Sequence, residues 1–251
     1  METNAAIPAA TLITVRERQS GRERQSGPPE LLMVERAEGM AFAGGALVFP
    51  GGRIDDGDSA LAGEGFAARV AAVRECIEET AVPAGLAPVP DRDLALELQR
   101  SLLADEPLAE LLEQHRLTLD LDSLVPFARW VPKFHATRRF DTLFFLAPAP
   151  GPDWQPNVVT RECAAAFWIT ASEALDRDRR GQARLIFPTR RNLERLALHD
   201  GFEALRADAL AHPIEPISPW VEERDGESFI TIPEGIGYPV TSEKLDGLWR
   251  G

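Results

Sequence analysis

Residues Arg74–Val82 read RECIEETAV, and the interpretation of the whole chain depends on this stretch. If the segment is helical, Glu75, Glu78 and Glu79 lie within an arc of roughly 100°, because side chains three and four residues apart share a helix face. Three anions on one face repel each other, so a cation is expected to offset them. Carboxylate oxygens with room for water and phosphate suit Mg²⁺ or Mn²⁺ rather than zinc. The stretch therefore predicts a metal-binding helix.

The other faces of this helix supply its packing surface. Val70, Val73 and Ile77 form an apolar stripe opposite the glutamates, which predicts contact with a core. Small residues lie one or two turns before the glutamates and near their face, where we expect them to leave open space. These small residues are Ala68, Ala71 and Ala72. We expect the helix to begin near Phe66 and to end close to Pro83, because proline disfavours a helical residue before it.

A strand and a glycine turn precede the helix. Residues Ala46–Phe49 predict a strand, and Gly51 and Gly52 follow it closely. Paired glycines permit positive φ angles and a close approach of the backbone to its neighbours. Residues 53–66 are polar and small and predict an acidic loop. A glutamate triplet is usually a solvated helix face. Here the preceding strand, the glycine turn and the order of charges favour a functional site instead.

Composition limits the class of protein. The chain has 251 residues, of which 44% are hydrophobic, enough for a sizeable core in one large domain or two small ones. The net charge of −13 argues against a general affinity for nucleic acid. A small phosphorylated substrate is compatible with this net charge. At close range, a bound metal and a few arginines attract phosphate more strongly than the distant negative charges of the protein repel it. Two cysteines are too few for a disulfide framework, and neither end carries a targeting signal, so we expect a cytoplasmic protein.

The pattern of apolar residues predicts both strands and helices along the chain. The predicted strands are Ala10–Val15, Leu31–Val34, Ala46–Phe49, Leu124–Trp130, Thr142–Ala147 and Ala164–Ile169. A capping pattern at Thr170–Glu173 predicts a short helix, and a longer helix is expected over Phe187–Ala197, with a proline near its first turn. These elements predict an α/β protein.

Three further segments interrupt this pattern. A hexapeptide occurs twice in tandem at residues 16–27 and predicts a mobile hairpin loop, because two short polar copies cannot build a repeat architecture. Leucines at helical spacings predict a helical insertion over residues 91–119. Residues 201–251 form a C-terminal extension whose last forty residues are rich in proline, with one predicted strand at Ser228–Ile232.

A basic cluster lies in the linker of residues 131–141, between two predicted strands. Its arginines, Arg138 and Arg139, lie beside strand ends, where they are suited to hold phosphate. A solvated turn whose arginines pair with nearby carboxylates is an equally good interpretation. Glu162, just before the next strand, is a candidate for water activation, although an ordinary strand-edge glutamate is the commoner explanation.

Gly52 and the block Arg74–Val82 together resemble the Nudix hydrolase motif. In that motif a glycine and a glutamate precede an Arg-Glu-hydrophobic-X-Glu-Glu-X-Gly-hydrophobic run at fixed spacing. The second half matches, with Ala81 in place of the usual glycine. In the first half Asp58 replaces the glutamate, and the block begins sixteen positions after it rather than eight. Glu64 is an alternative to Asp58, and the sequence does not choose between them.

Segments outside the motif resemble one Nudix branch, which includes a peroxisomal coenzyme A diphosphatase whose motif is also interrupted. The segments that carry this similarity are residues 138–146, 162–168, 172–175 and 187–190. The resemblance covers most of residues 8–200 and implies an α/β/α sandwich with a mixed β-sheet, in a single domain over residues 1–251. It also implies Mg²⁺- or Mn²⁺-dependent hydrolysis of a nucleoside diphosphate linked to another moiety, with coenzyme A or its acyl derivatives first.

The resemblance further implies roles for individual residues. Glu78 and Glu79 are expected to bind the metal, and Glu75 is expected to be a further ligand or to orient the attacking water. Arg74 is expected to hold a glutamate, so that the catalytic group consists of Arg74, Glu75 and Glu78. The residues expected to bind substrate are Gly51, Gly52, Arg53, Arg138 and Arg139.

Two alternatives to coenzyme A hydrolysis stay open at this point. One is a pyrophosphatase for ADP-ribose, NADH or dinucleotides. The other is a catalytically silent Nudix-fold regulator that binds nucleotides, an interpretation that Asp58 and Ala81 favour. The expected partner in each case is a small nucleotide-type molecule, with no nucleic acid and no membrane. The sequence also allows a homodimer.

Overall fold

The fold was analysed in a computed structural model, which describes residues 5–18, 27–39, 43–131, 139–160 and 162–245. The strands in the described residues are β1 Ile7–Arg16, β2 Glu30–Arg36, β3 Leu47–Val48, β4 Gly51–Arg53, β5 Leu86–Ala87, β6 Thr118–Leu119, β7 Val125–Trp130, β8 Phe140–Pro148, β9 Cys163–Thr170, β10 Pro216–Ile217, β11 Trp220–Arg224, β12 Glu227–Thr231 and β13 Ser242–Lys244. The α-helices are α1 Asp56–Ala62, α2 Ala67–Thr80, α3 Arg92–Leu103, α4 Leu108–His115, α5 Ala171–Arg179, α6 Phe187–Leu196 and α7 Phe202–Ala211. Each strand and helix predicted from the sequence corresponds to one of these elements.

A mixed eight-stranded sheet forms the centre of the described residues. Its strand order is β10-β7-β8-β1-β2-β3, with β4 also paired to β1 and β9 also paired to β2. Strand β1 runs parallel to β8, with Ile7 opposite Phe140, and antiparallel to β2 and β4. Two smaller sheets, β5-β6 and β11-β12-β13, lie outside it. Because β1 touches three partners, it sets the position of the elements around it.

Alternate residues of the central strands face two separate hydrophobic cores. In β1, Leu12 belongs to one core and Ile13 to the other. In β8, Phe145 belongs to the same core as Leu12, and Phe144 belongs to the same core as Ile13. Helices α2, α3 and α4 cover the first core, and α5, α6 and α7 cover the second. Since successive side chains of a strand point to opposite faces, the sheet lies between two helical layers, as the predicted α/β/α sandwich requires.

Helix α2 is buried on nearly all sides. Val70, Val73 and Ile77 are fully buried, as the apolar stripe predicted. Ala71 and Ala72 are equally buried, and Ala68 is nearly so, because α1 and α3 both pack against this helix. The open space expected beside the alanines is therefore absent from the described structure, and that expectation is wrong.

The predicted acidic loop over residues 53–66 contains helix α1. The helix begins after Asp55, whose N–H donates to Asp58 Oδ2 at 2.9 Å. This side-chain contact satisfies a backbone donor at the helix start and stabilises the first turn. The polar composition of the segment did not predict a helix. The helix is stabilised by its own carboxylates and by packing against α2.

The C-terminal segment contains more strands than its proline-rich sequence indicated. The strand predicted at Ser228–Ile232 is β12, but β11 and β13 flank it, and β10 joins the main sheet through β7. Ile230 and Tyr238 enter the core beneath α6. Short strands between prolines give too little periodicity to be recognised from sequence.

The first two residues of the tandem hexapeptide, Arg16 and Glu17, make defined contacts with distant parts of the chain. Arg16 ends β1, donates to Glu30 Oε2 at 2.7 Å and lies 4.4 Å from the ring centre of Trp168. Glu17 accepts a hydrogen bond from the N–H of Phe202 at 2.7 Å, at the start of α7. The interpretation as a mobile loop is wrong for these two residues, while residues 19–26 lie outside the described structure. None of the described helices is long and apolar enough to cross a membrane.

Candidate active site

The carboxylate helix α2 lies directly against strand β4. The N–H of Gly51 donates to Glu79 Oε2 at 3.2 Å. A Cβ atom at Gly52 would come within 2.2 Å of Glu75 Oε1, so only glycine leaves room for that carboxylate. A Cβ at Gly51 would lie 2.5 Å from the backbone oxygen of Ala10. The two glycines therefore bring the helix, β4 and β1 into close contact.

These glycines matter because they lack a side chain, and not because they adopt an unusual backbone angle. Neither Gly51 nor Gly52 is among the described glycines with a positive φ, because both belong to the extended strand β4. The expectation of positive φ angles at this turn is wrong. The expectation of a close backbone approach is confirmed.

Arg74 occupies the centre of the carboxylate cluster. Its Nε and Nη2 donate to the two oxygens of Asp58 at 3.0 and 2.9 Å, and Nη2 also donates to the carbonyl of Arg53 at 2.9 Å. Its Nη1 donates to Glu75 Oε1 at 3.0 Å and to Glu78 Oε1 at 3.1 Å. These contacts use all five N–H donors of a guanidinium group. Arg74 thus fixes two of the three glutamates and ties α2 to α1 and β4.

Asp58 and Glu64, the two candidates for the first half of the motif, have different surroundings in the structure. Asp58 is 3% exposed and forms a two-pronged ion pair with Arg74. Such paired contacts are strong and directional. Glu64 is exposed to solvent and lies beyond the end of α1. Asp58 rather than Glu64 therefore pairs with Arg74, and the residues between β4 and α2 form α1 and the turn that follows it.

Burial raises the pKa of all three glutamates, and repulsion from neighbouring carboxylates adds to the increase. Burial, with repulsion from Glu78, raises the pKa of Glu75 to about 7, although Arg74 opposes the shift. Burial and the charge of Glu75 raise the pKa of Glu79 to about 8. Burial also raises the pKa of Glu78. The carboxylates of Asp58, Glu75 and Glu78 hold the pKa of Arg74 above its ordinary value, although burial acts in the opposite direction. Concentrated anionic charge of this kind is typical of functional sites.

The donor set fits a hard divalent cation in its chemistry. Glu75, Glu78 and Glu79 offer oxygen ligands from one helix, and the space above Gly52 is kept free for a carboxylate. Within the part of the chain that the structure describes, no three acidic, histidine or cysteine side chains are already grouped closely enough to hold an ion. Glu75 and Glu78 are instead directed to Arg74. These glutamates suit a metal by type and position, and their side chains must turn to bind it.

Two of the predicted phosphate-binding arginines lie at one end of the sheet. Arg53 is opposite Ala9 in the β1–β4 pair, and the carbonyl of Arg139 accepts from the N–H of Ile7. The Arg53 side chain is exposed, and Arg139 has a buried Nε without a partner among the described residues. Arg138 lies outside the described structure. The register thus brings Arg53 and Arg139 to the end of β1 that carries the glycine strand.

Sequence reasoning missed one residue close to the glutamates. Arg36, at the end of β2, lies opposite Cys163 at the start of β9, and its positive charge lowers the pKa of Glu79. Its buried Nε has no partner among the described residues. Glu162 also acts on Glu79, and its negative charge raises the pKa of that group, so this candidate lies near the cluster. Arg36 carried no sequence signal, because it follows an ordinary apolar strand.

The two cysteines are buried and free. Burial raises the pKa of Cys76 to about 12, and its sulfur lies 3.8 Å from the hydroxyls of Thr14 and Thr80. Burial and the charge of Glu79 raise the pKa of Cys163 to about 12. A raised pKa leaves a thiol largely un-ionised near neutral pH and poorly nucleophilic, and Cys76 belongs to the core that α2 covers.

A solved structure is similar in fold to most of the chain. A Nudix hydrolase from Alicyclobacillus acidocaldarius is 26% identical, has a TM-score of 0.68, and is matched over 81% of this chain and 96% of its own. The fold is that of the Nudix hydrolases. A curated Caenorhabditis elegans protein, "Putative nudix hydrolase 7", is 28% identical over 206 residues, which are 80% of this chain. The chain spans 66% of that relative's length.

No protein-family model matches the chain. The curated relative and the solved structure are nevertheless both named as Nudix hydrolases, so the chain is similar to that superfamily in sequence and in fold. Residues Arg74–Thr80 of the block that resembles the Nudix motif form the second half of α2, and Ala81 caps the helix.

Proposed function

We propose that this protein hydrolyses a diphosphate linkage in a nucleoside diphosphate joined to another moiety, with Mg²⁺ or Mn²⁺ as cofactor. The observation that carries the proposal is the packing of Glu79 and Glu75 of α2 against Gly51 and Gly52 of β4, with Arg74 donating to Glu75 and Glu78. Similarity to the Nudix hydrolases supports the reaction type.

The metal is assigned to the glutamates. Glu75, Glu78 and Glu79 would hold the ion, and when bound it would polarise the diphosphate and lower the pKa of a nearby water. Hydrolysis of a diphosphate needs positioning and charge neutralisation more than covalent chemistry by the protein. A cluster of carboxylates with a divalent cation meets that need without a nucleophilic side chain.

The protein's own residues have separate tasks in this proposal. Arg74 holds Glu75 and Glu78 by charge-assisted hydrogen bonds, and the N–H of Gly51 holds Glu79. Glu75 is a further ligand or orients the attacking water. Arg53 and Arg139, at the same end of the sheet, would contact phosphate oxygens, and Arg138 is assigned the same role from the sequence. Glycine at position 52 keeps the carboxylate of Glu75 close to the strand.

Coenzyme A or an acyl derivative is the first candidate substrate. The support is the resemblance of residues 138–146, 162–168, 172–175 and 187–190 to the coenzyme A diphosphatase branch. Cleavage would yield phosphopantetheine and adenosine 3′,5′-bisphosphate. ADP-ribose, NADH and dinucleotides are the competing substrates, since fold alone does not fix the substrate.

The test is a panel of diphosphate substrates with Mg²⁺ or Mn²⁺, with products separated by chromatography. The wild-type protein should cleave coenzyme A fastest, and Glu79→Gln should abolish cleavage. Glu113→Gln on α4, an exposed glutamate, is the matched control and should keep full activity. Undiminished turnover in Glu79→Gln would refute the metal assignment. A wild-type protein that binds nucleotide and Mg²⁺ yet cleaves nothing would favour the regulator.

A further inference from the structure

The C-terminal end of α2 is closed by residues from distant parts of the chain. The last carbonyls of a helix have no partner within the helix. Here the carbonyl of Glu78 accepts from Gln99 Nε2 at 3.1 Å, and the carbonyl of Thr80 accepts from the N–H of Asn157 at 2.8 Å. Gln99 lies on α3, and Asn157 lies between β8 and β9. The end of the carboxylate helix is therefore capped by other segments.

Gln99 and Asn157 also bind each other. The Nε2 of Gln99 donates a second hydrogen bond to the carbonyl of Asn157 at 2.9 Å, and its Oε1 accepts from Asn157 Nδ2 at 2.8 Å. Both amide donors of Gln99 are thereby used, which fixes the orientation of the group. Gln99 is fully buried, so water cannot replace it. Loss of the amide would leave the carbonyl of Glu78 buried and unpaired.

Local contacts fix only part of this helix end: Thr80 Oγ1 accepts from the N–H of Val82, and the N–H of Ala81 donates to the carbonyl of Ile77. The last turn of α2 has no basic residue, and its capping residue Ala81 adopts a left-handed conformation with φ 54° where glycine is preferred. The indole of Trp154 donates to the carbonyl of Ala81 at 3.2 Å. This is the third contact to the helix end, after those of Gln99 and Asn157, and it comes from the same loop as Asn157. The orientation of the last turn thus depends on contacts from α3 and from residues 149–160.

We propose that Gln99 and Asn157 are positioning residues of the candidate active site. They hold the last turn of α2 and thereby aim Glu78 and Glu79, whose side chains lie on that turn. Gln99 contacts the backbone of Glu78 rather than substrate, so it acts through the glutamate. The inference rests on the proposed function, because it assumes that these glutamates bind a divalent cation. It gives the α3–α4 segment a role in the site besides packing.

Two variants of the intact protein separate positioning from stability. Gln99→Met keeps the length of the side chain and removes both donors and the acceptor. Asn192→Leu is the matched control: Asn192 is an equally buried amide on α6 in the opposite core, where it accepts from Trp130 Nε1 at 3.1 Å and from the Tyr238 hydroxyl at 2.8 Å. Both variants should be less stable than the wild type, because each leaves buried polar groups unpaired.

The first measurement is binding of Mn²⁺ alone, followed by electron paramagnetic resonance. Mutations that disturb the residues supporting metal ligands typically weaken metal binding 10–100-fold. We expect Gln99→Met to weaken Mn²⁺ binding about tenfold, and Asn192→Leu to leave it unchanged. With a diphosphate substrate, kcat should fall by a similar factor in Gln99→Met while KM changes little, since the substrate itself is not contacted.

The second measurement is hydrogen exchange at the amides of residues 78–81. Exchange should be faster in Gln99→Met and unchanged in Asn192→Leu. Unchanged Mn²⁺ affinity in folded Gln99→Met would overturn the inference whatever the exchange rate, and so would equal loss of affinity in both variants. A wild-type protein that binds Mn²⁺ but cleaves no diphosphate would count against the proposed function only. The effect of Gln99→Met on Mn²⁺ affinity would still decide the inference.

Discussion

Arg74 shows how one side chain organises the candidate site. Its guanidinium group meets Asp58 on one side and Glu75 and Glu78 on the other, while also binding the backbone of Arg53. A lysine has three donors on a single atom and cannot reproduce this planar set of contacts. The geometry of the cluster therefore depends on the arginine and on the carboxylate that pairs with it from α1.

Asp58→Asn should destabilise the protein by about 2 kcal/mol, because the buried guanidinium of Arg74 loses one charged partner. The measurement is the free energy of unfolding in urea. Glu64→Gln is the control, since an exposed glutamate normally changes stability by less than about 0.5 kcal/mol. A larger loss in Glu64→Gln than in Asp58→Asn would reverse the assignment of the altered motif position.

Glu194 should make the protein less stable as pH rises. Burial raises its pKa to about 6 from the ordinary 4.5, although Arg191 donates to it at 2.8 Å. The folded state therefore binds this proton more tightly, so the contribution is complete below pH 4.5 and is lost as pH rises through about 6. The difference corresponds to about 2 kcal/mol.

The test compares unfolding free energies at pH 4.5 and 7 for wild type and Glu194→Gln. The wild type should lose about 2 kcal/mol more than the variant over this interval. Glu203→Gln, on a side chain that is 83% exposed, should behave as the wild type does. Parallel pH curves for the wild type and Glu194→Gln would contradict the prediction.

At the scale of elements, strand β4 joins the helix to the sheet through its two glycines. A Cβ at Gly51 would strike the backbone of Ala10, which cannot move without disturbing β1. A Cβ at Gly52 would strike only the end of the flexible Glu75 side chain. Neighbouring glycines in the same strand thus differ in what an added side chain would displace, which is the backbone of β1 at Gly51 and the carboxylate of Glu75 at Gly52.

Gly51→Ala should therefore lower the free energy of unfolding by about 2–3 kcal/mol, as overpacking against backbone does. Gly52→Ala should keep nearly wild-type stability and lose diphosphatase activity and Mn²⁺ affinity, because Glu75 is displaced. Urea unfolding and Mn²⁺ titration of both variants provide the measurement. Equal destabilisation by the two substitutions would show that Glu75 is not free to move.

The elements differ in how far the sequence could predict them. The buried stripe Val70, Val73 and Ile77 and the strands of the main sheet follow a clear periodicity, so both were predicted. Helix α1 was not predicted, because its polar residues gain stability from Asp55, Asp58 and contacts with α2. Pairing of Asp58 with Arg74 crosses sixteen residues and depends on that helix.

Contacts that cap α2 had no recognisable sequence signal at all. Gln99 and Asn157 are ordinary polar residues in the sequence, and only the packing of α3 brings them to the carbonyls of Glu78 and Thr80. The charge of Arg36 near Glu79 is equally non-local. The sequence therefore identifies candidate groups for the site but not the contacts that orient them.

At the scale of the whole molecule, the tandem hexapeptide allows a simple deletion experiment. Removal of residues 16–21 or 22–27 yields the same sequence, in which Arg16 and Glu17 keep their identities and neighbours. The deletion should change the free energy of unfolding by less than about 1 kcal/mol, since halving a loop alters its closure entropy by only about 0.6 kcal/mol.

Glu17→Ala serves as the control for this deletion. It should cost about 1 kcal/mol in both the full-length and the shortened protein, because the N–H of Phe202 at the start of α7 loses its acceptor. Thermal unfolding monitored by circular dichroism compares the four proteins. A deletion that costs more than about 2 kcal/mol would mean that the second copy makes stabilising contacts of its own.

The parallel pairing of β1 with β8 has a consequence for the order of folding. Ile7 is opposite Phe140, so the two partners lie 133 residues apart in the chain. At a synthesis rate of about 5–20 residues per second, β1 is made roughly 7–27 seconds before the strand that completes its pairing. The glutamate helix and its glycine strand are translated within that interval. We therefore expect the carboxylate cluster to reach its final form only after β8 has been synthesised, when more than half of the chain has been made.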